Sequence, residues 1–203
     1  MSELLSADFP GIYLLPLVLV VLLLLWWLVY RRGRRAGRSL AKVLGSIAYE
    51  RMEGLVIPNT DEGEIQIDHV VLTAQGLLIV DAKDVSGAVF GSDKMQDWTV
   101  ISDDHRFTFS NPQPALYDRI AAVRQIVRQV PVTGRVVFLD GARFTKGVPG
   151  LTCRLDDLIE EFSEPERSSA IVKVEAFRPH WEQLKKRALA VPQVEKGKRR
   201  MRA

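Results

Sequence analysis

The sequence is poor in the residues that build thiol and imidazole sites. Its 203 residues include one cysteine, Cys153, and three histidines that lie far apart, His69, His105 and His180. A single cysteine cannot form an intrachain disulfide and agrees with a reducing compartment. The scattered histidines give neither the Cys–His spacing of a zinc site nor a Ser–His–Asp order. A glycine-rich phosphate loop is also missing from the sequence, so the chemistry must come from other residues.

Charge is missing from one long segment near the start of the chain. Residues 12–30, IYLLPLVLVVLLLLWWLVY, contain no charged side chain. A helix of this length crosses about 30 Å of hydrocarbon, and Trp26, Trp27 and Tyr30 suit a membrane interface. The preceding residues 1–11 are acidic rather than basic, and no small-residue cleavage site follows, which disfavours a signal peptide. We therefore expect a transmembrane helix at residues 12–30, after a short N-terminal segment.

Basic residues are also absent before this segment, whereas a basic linker at residues 31–38 follows it. The arginines next to the span are Arg31, Arg32, Arg34 and Arg35. The positive-inside rule predicts a single-pass protein of the cell membrane whose C-terminal domain faces the cytoplasm. We expect the same arginines to contact phosphate, most directly that of lipid headgroups in the bilayer.

The remaining charge is divided unevenly. Residues 39–184 carry 15 basic and 22 acidic residues, a net charge of −7, whereas residues 185–203 carry eight basic residues and one acidic residue. An acidic domain is a poor broad platform for nucleic acid, although clustered carboxylates are what a metal site requires. The basic tail either contacts lipid or nucleic-acid phosphate or is a solvated end.

Two aspartates and a lysine interrupt an apolar hairpin at residues 66–84, QIDHVVLTAQGLLIVDAKD. With a two-residue loop at Ala74 and Gln75, Asp68 faces Asp81 across the strands; a three-residue loop would put Asp68 on the other face. The first register sets two like charges side by side, which requires a cation between them. Lys83 shares a face with Asp81 because side chains alternate along a strand. The group is either a Mg²⁺ or Mn²⁺ site for phosphodiester cleavage or a solvated hairpin face.

Hydrophobic periodicity elsewhere predicts one α/β domain over residues 39–184. A helix is expected at residues 39–52, a short strand within 53–64, the hairpin, a strand at 87–91 and a polar loop over 92–110. A helix at 115–130 follows, with an apolar stripe of Leu116, Ile120, Val123 and Val127. A buried strand at 135–140, a short helix at 155–162 and a last helix at 177–190 complete the pattern. We expect Trp98 to pack in the core.

Four segments carry a resemblance to a known family. They are QIDHVVLTAQGLLIVDAKDVSGAVFG (66–91), Trp98, NPQPALYDRIAAVRQIV (111–127) and GRVVFLD (134–140). In their order and spacing, residues 37–162 resemble the NERD (nuclease-related) domain of the PD-(D/E)XK nuclease-like superfamily. The resemblance implies a restriction-endonuclease-like mixed sheet flanked by helices and Mg²⁺- or Mn²⁺-dependent cleavage of DNA. It also implies Asp68 and Asp81 as metal ligands and catalytic residues, with Lys83 as the catalytic lysine.

Two family positions are altered. Arg38 stands where the family carries a glutamate, which makes Glu50 the available substitute; on a helix it would share a face with Val43 and Ile47. Ala115 stands at the usual glutamine, and Gln113 lies two residues earlier. Glu50 and Gln113 are therefore candidate helper residues. Three hypotheses remain: a membrane-tethered nuclease, a tethered module that keeps the fold and binds nucleic acid or a protein without turnover, and an unrelated structural anchor.

Overall fold

The computed structural model describes residues 19–24, 26–27, 40–58, 63–103, 105–164 and 166–189. They belong to two compact units, Met1–Ser39 and Leu40–Ala203. In the first unit, residues 19–24 and 26–27 are helical. The rest of the predicted transmembrane segment, the linker at 31–38 with its arginines, and the tail from residue 190 onward lie outside the described residues. Within the described residues, no helix combines the length and the apolar character needed to cross a membrane.

The second unit is a mixed α/β domain, as the sequence predicts. Its described strands are β1 (Glu50–Pro58), β2 (Glu64–Thr73), β3 (Gly76–Lys83), β4 (Gly87–Phe90), β5 (Asp97–Ile101), β6 (Arg106–Ser110), β7 (Val132–Phe138), β8 (Ala142–Phe144) and β9 (Thr152–Arg154). Its described helices are α1 (residues 40–47), α2 (Gln113–Ile126), α3 (Leu155–Phe162) and α4 (Arg167–Leu189). A five-stranded sheet has the order β1-β2-β3-β7-β9, and a four-stranded sheet has the order β6-β5-β4-β8.

Strand β3 is the central strand of the five-stranded sheet. It pairs antiparallel with β2 and parallel with β7. Its apolar run Leu77–Val80 is buried on both faces, as expected for a strand that helices cover on each side. The run ends at Asp81 and Lys83, so the polar residues lie at the carboxyl end of the most deeply buried strand.

Helices cover both faces of this sheet. On one face, Leu116 and Ile120 of α2 pack over Gly134 of β7, and the buried residues of α4 join the same core. On the other face, Arg51 Nη1 donates to Ala41 O of α1 at 3.4 Å, and Arg135 forms an ion pair with Glu161 of α3. The flanked sheet confirms the mixed α/β prediction.

The predicted core residues are buried. The apolar stripe of α2 is at most 6% exposed from Leu116 to Val127, and Trp98 is fully buried. Trp98 stacks on Phe138 with a centroid distance of 6.2 Å and packs edge-on against Phe109. Its role as a packing residue is confirmed.

The predicted helix at residues 39–52 is wrong in its last turn. Helix α1 ends at residue 47, and β1 begins at Glu50. Residues Glu50 to Met52 pair with Leu72 to Val70, and Tyr49 N donates to Leu72 O at 2.8 Å. Pairing with the hairpin therefore overrides the local helical pattern, because each residue gains ladder hydrogen bonds and a buried neighbour.

The predicted polar loop at residues 92–110 is also wrong. It contains strands β5 and β6, which pair with each other, and β5 also pairs with β4. Trp98 and Val100 are buried whereas Asp97 and Ile101 are exposed, so the period-two pattern of a half-buried strand is present among the polar residues. The last helix also starts earlier than predicted, at Arg167.

Candidate functional site

The hairpin turn has the two-residue loop. Thr73 pairs with Gly76, and His69 pairs with Val80, which is the register that the first alternative predicts. Thr73 Oγ1 closes the loop by donating to Gly76 O at 3.0 Å and accepting from Gln75 N at 3.1 Å. Gly76 has a φ of +121° and lies against the backbone of Pro131, so a side chain there would be strained and would clash.

The ladder between β2 and β3 ends one step before the two aspartates. Among the described residues its last pair is His69–Val80, and Asp68 and Asp81 would form the next pair. In β1, the position beside Asp68 is Gly54, whose φ is +63°, and the β1–β2 pairs skip it. Such breaks turn a strand away from its neighbour. The strands therefore separate at the site, with Asp68 exposed and Asp81 buried.

Two cations neutralise the buried carboxylate of Asp81. Its side chain is 5% exposed, with Lys83 Nζ at 3.2 Å from Oδ1 and Arg119 Nη1 at 3.3 Å from Oδ2. A buried carboxylate needs such partners because desolvation is costly. Lys83 reaches it from two residues along the same strand, and Arg119 reaches it from helix α2. Asp81, Lys83 and Arg119 together carry a net charge of +1; we call them the β3 ionic group.

Arg119 is the residue that the sequence analysis missed. Besides contacting Asp81, its Nε donates to Gln66 O of β2 at 2.9 Å. One guanidinium thus joins β2 to β3 where the two strands no longer pair, as its planar fork of donors permits. The available signal was helical spacing: Arg119 lies three residues after buried Leu116 and one before buried Ile120, which places it at the border of the apolar stripe.

Glu50 does not join the β3 ionic group. It is the first residue of β1, not a helical residue beside Val43 and Ile47, and it pairs with Leu72 at the turn end of the hairpin. Leu72 pairs with Leu77, which precedes Asp81 by four residues, or about 13 Å of strand. The Glu50 carboxylate accepts hydrogen bonds from Trp181 Nε1 at 2.7 Å and Arg178 Nη1 at 2.5 Å. Its observed role is to attach α4 to the sheet.

Gln113 is buried at the start of α2, where its amide makes structural hydrogen bonds. Its Nε2 donates to Asp93 Oδ1 at 2.7 Å and to Gly150 O, and its Oε1 accepts from Asn111 Nδ2 at 3.2 Å. These bonds join three loops. The Gln113 and Gly150 donors hold the pKa of Asp93 below its ordinary value. The amide that sequence reasoning offered as a helper therefore has its hydrogen-bonding capacity used locally.

The remaining titratable candidates do not form a second centre. Burial raises the pKa of the Cys153 thiol to about 12, so at neutral pH it is protonated and a poor nucleophile. Within the described ranges, no group of three or more His, Cys, Asp or Glu residues is arranged to hold a metal ion. Asp81 is thus the carboxylate of the β3 ionic group, and Asp68 is exposed at the adjacent position of β2.

The domain is an α/β domain with a mixed sheet and helices on both faces. At the end of its central strand, a buried carboxylate is paired with two cations. The family model of the nuclease-related domain, NERD, matches residues 31–139, more than half of the chain. The chain therefore belongs to the NERD family. It is similar to an uncharacterised protein of Bacillus anthracis, with 24% identity over 99 residues that cover 49% of this chain and 47% of that protein. The chain thus spans about half the length of this curated relative, and no solved structure matches it significantly.

Proposed function

We propose that this protein is a membrane-tethered nuclease that hydrolyses DNA phosphodiester bonds with the help of Mg²⁺ or Mn²⁺. The observation that carries the proposal is the β3 ionic group, at the position where continuation of the hairpin register would set Asp68 opposite Asp81. Membership of the nuclease-related family supports it. A strand end that presents carboxylates together with cations suits the negative charge of a phosphodiester and of an attacking water.

Asp68 and Asp81 fit a hard divalent cation. Magnesium is commonly held by one or two carboxylates, with water and substrate phosphate completing its coordination. Each Asp81 oxygen has one cationic neighbour, whereas a carboxylate offers about four acceptor sites. Asp68 is exposed and makes no ion pair with any described residue. When bound, the ion would polarise the phosphate and lower the pKa of a coordinated water.

Lys83 and Arg119 have different roles in this proposal. The Lys83 side chain is 31% exposed, and its flexible stem lets the ammonium move from Asp81 toward a phosphate oxygen or an attacking water. Arg119 is held by Gln66 O as well as by Asp81. It holds the buried carboxylate in position. Lys83 is therefore the proposed catalytic residue and Arg119 a positioning residue.

The tether is the uncharged segment at residues 12–30, and the linker at 31–38 supports its orientation. Arg31, Arg32, Arg34 and Arg35 follow the segment, and no basic residue precedes it. This asymmetry favours a cytoplasmic domain, with the arginines against anionic lipid headgroups. A reporter fused after Ala203 should be active in the cytoplasm. Activity of the reporter only outside the cell would contradict the orientation.

The activity is tested with the full chain in detergent micelles. Wild-type protein should cleave labelled DNA in Mg²⁺ or Mn²⁺, and EDTA should abolish cleavage. Lys83→Ala should lose cleavage and keep metal binding, because the lysine acts on water or phosphate rather than on the ion. Arg128→Ala is a matched control, since Arg128 is an exposed cation in the loop after α2. Metal-independent cleavage, or equal activity of the Lys83 variant, would contradict the mechanism.

A second candidate function is a tethered binding module without turnover. The pairing of Asp81 with two cations favours it, because this carboxylate is already neutralised. The altered family positions at Arg38 and Ala115 also favour it. Its partner would be nucleic acid or a protein. Under this alternative, millimolar Mg²⁺ and Mn²⁺ leave the melting temperature unchanged and no condition gives cleavage.

A further inference from the structure

The four-stranded sheet has one buried face and one exposed face. Val89, Trp98 and Val100 point to the core and are at most 1% exposed. Alternation along the strands places their neighbours on the opposite side. We call that side the outer face; its main residues are Phe90, Thr99, Ile101, Arg106, Thr108 and Arg143.

Cross-strand pairing arranges the outer face in two rows. The first row runs Arg143–Ala88–Ile101–Arg106 across all four strands. Neighbouring strands lie about 4.8 Å apart, so the backbone positions of the two arginines are about 14 Å apart. The residues between them, Ala88 and Ile101, are apolar, and Ile101 is 42% exposed. The second row holds Phe90, Thr99 and Thr108.

The second row adds an aromatic ring and hydroxyl groups. Lys146 Nζ lies 5.9 Å from the Phe90 ring centroid, so a third cation lies at the face. Thr99 Oγ1 and Thr108 Oγ1 are 3.2 Å apart. Hydroxyls can both donate and accept hydrogen bonds. The row therefore presents a surface for ring stacking next to groups that can bond to base edges.

The positive charge of the outer face is unusual for this domain. Residues 39–184 have a net charge of −7, yet Arg106 and Arg143 are exposed and form no ion pair with any described residue. The face also carries Asp97, and Asp103 lies in the turn between β5 and β6. Unpaired cations that remain on an acidic domain suit an anionic ligand that neutralises them.

We propose that the outer face binds single-stranded nucleic acid. Sheets that bind single strands combine cations for the backbone with ring and apolar surface for the bases. On the outer face the arginines and Ile101 are exposed, and Phe90 is half-buried. Strand β4 begins at Gly87, four residues after Lys83, so the sheet starts within about 14 Å of the β3 ionic group. In extending the proposed nuclease function, the outer face holds the strand that the ionic group acts on.

The test separates binding from cleavage by excluding metal. Full-length protein in detergent micelles is titrated against a fluorescein-labelled 20-nucleotide single strand in EDTA, at several salt concentrations, and binding is followed by anisotropy. Arg106→Gln combined with Arg143→Gln should weaken binding by about tenfold and flatten the plot of log K against log salt by roughly 1.4, about 0.7 for each lost contact. Both residues are exposed, so the double variant should melt as wild type does.

The matched control removes two exposed cations elsewhere, Lys42→Gln with Arg128→Gln, and should bind as wild type does. Equal losses in the two double variants would reduce the effect to net charge and overturn the proposal, as would unchanged binding by the Arg106/Arg143 variant. A hairpin duplex of equal length should bind more weakly than the single strand; equal affinity would contradict a single-strand site. If the Arg106/Arg143 variant binds the oligonucleotide normally but no longer binds phosphatidylserine vesicles, the outer face is instead a lipid-binding surface.

The outcome is independent of turnover. Binding is measured in EDTA, which withholds the metal that cleavage needs. If wild-type protein binds through Arg106 and Arg143 but cleaves nothing in Mg²⁺ or Mn²⁺, the nuclease proposal fails and the binding face stands. If it cleaves DNA while the Arg106/Arg143 variant binds and cleaves normally, the binding face fails and the nuclease proposal stands.

Discussion

Arg119 and Asp81 meet at 3.3 Å, and they do so where β2 and β3 cease to pair. The same guanidinium donates to Gln66 O, so one side chain replaces the missing ladder bonds and partly neutralises a buried carboxylate. Arg119 of α2 therefore connects β2 to β3 at the candidate site.

Replacing Arg119 with Met should therefore lower the free energy of unfolding by about 1–3 kcal/mol, because Asp81 would lose one of its two partners while staying buried. Arg119→Lys keeps the charge but not the fork of donors, and it should recover part of the loss. Urea denaturation of the three proteins measures the difference. A loss below about 0.5 kcal/mol for Arg119→Met would show that Lys83 and solvent suffice for Asp81.

Metal binding should appear as a rise in melting temperature that grows with the concentration of Mg²⁺ or Mn²⁺, as linkage requires. Asp81→Asn should abolish the rise, and Asp68→Asn should reduce it. Without metal, Asp81→Asn should be less stable than wild type, because Lys83 and Arg119 would lose the carboxylate between them. The hairpin sequence alone predicts that Asp81→Asn stabilises the metal-free protein, because the hairpin contains two aspartates that would repel each other and no arginine.

Leu116→Ala should destabilise the domain by roughly 2–5 kcal/mol, the range for a buried leucine that leaves a cavity. Leu116 is fully buried and packs over Gly134. Tyr117→Ala is the matched control on the same helix, because Tyr117 is 57% exposed. Similar losses for both variants would mean that the burial of Leu116 does not set the cost of its removal.

Glu50→Gln should lower stability while leaving metal binding and cleavage intact. The substitution keeps an acceptor for Trp181 Nε1 but removes the charge that pairs with Arg178. Loss of a charged hydrogen bond costs about 1.5–3 kcal/mol when it is buried, and less here because both side chains are only partly buried. Chemical denaturation and a metal titration of the same preparation measure the two effects. If Glu50→Gln keeps the fold but loses the metal-induced stabilisation, Glu50 is part of the metal site after all.

Acid should weaken the domain partly through Asp93. Its pKa is lowered in the folded state from an ordinary value of 3.8 by hydrogen bonds from Gln113 and Gly150. A lowered folded pKa stabilises the protein above the unfolded value, and this contribution is lost as pH falls through the folded value. Urea midpoints measured from pH 7 down to about pH 3 should therefore fall less steeply below pH 4 in Asp93→Asn than in wild type. Parallel curves would contradict this contribution.

The sequence predicted the elements whose patterns are local. The α2 stripe follows from side-chain periodicity and is confirmed. The turn signal predicted a hairpin with two possible registers, and the structure has the one with the two-residue loop. Strands β5 and β6 were missed because polar residues mask their alternation. Helix α1 was predicted too long because pairing of Glu50 with Leu72, a contact 22 residues away, decides where β1 begins.

The sequence predicted only those residues of the candidate site that lie on the β-strands of the hairpin. Asp68, Asp81 and Lys83 stand in one hairpin, so spacing brings them to notice. Arg119 lies 38 residues from Asp81, and only the packing of α2 on the sheet brings the two together. The end of the β2–β3 ladder before Asp68 and Asp81 was likewise not predicted, since the hairpin pattern continues through both residues.

Helix α4 has a consequence for synthesis of the protein on the ribosome. Trp181 and Leu184 complete the core although the family match ends at residue 139. Translation proceeds at about 5–20 residues per second, so the nascent chain exposes the part of the apolar sheet face that α4 covers for seconds before α4 emerges. Premature termination after residue 139 would leave that part of the face permanently uncovered. The truncated product should aggregate or be degraded rather than persist as a smaller active protein.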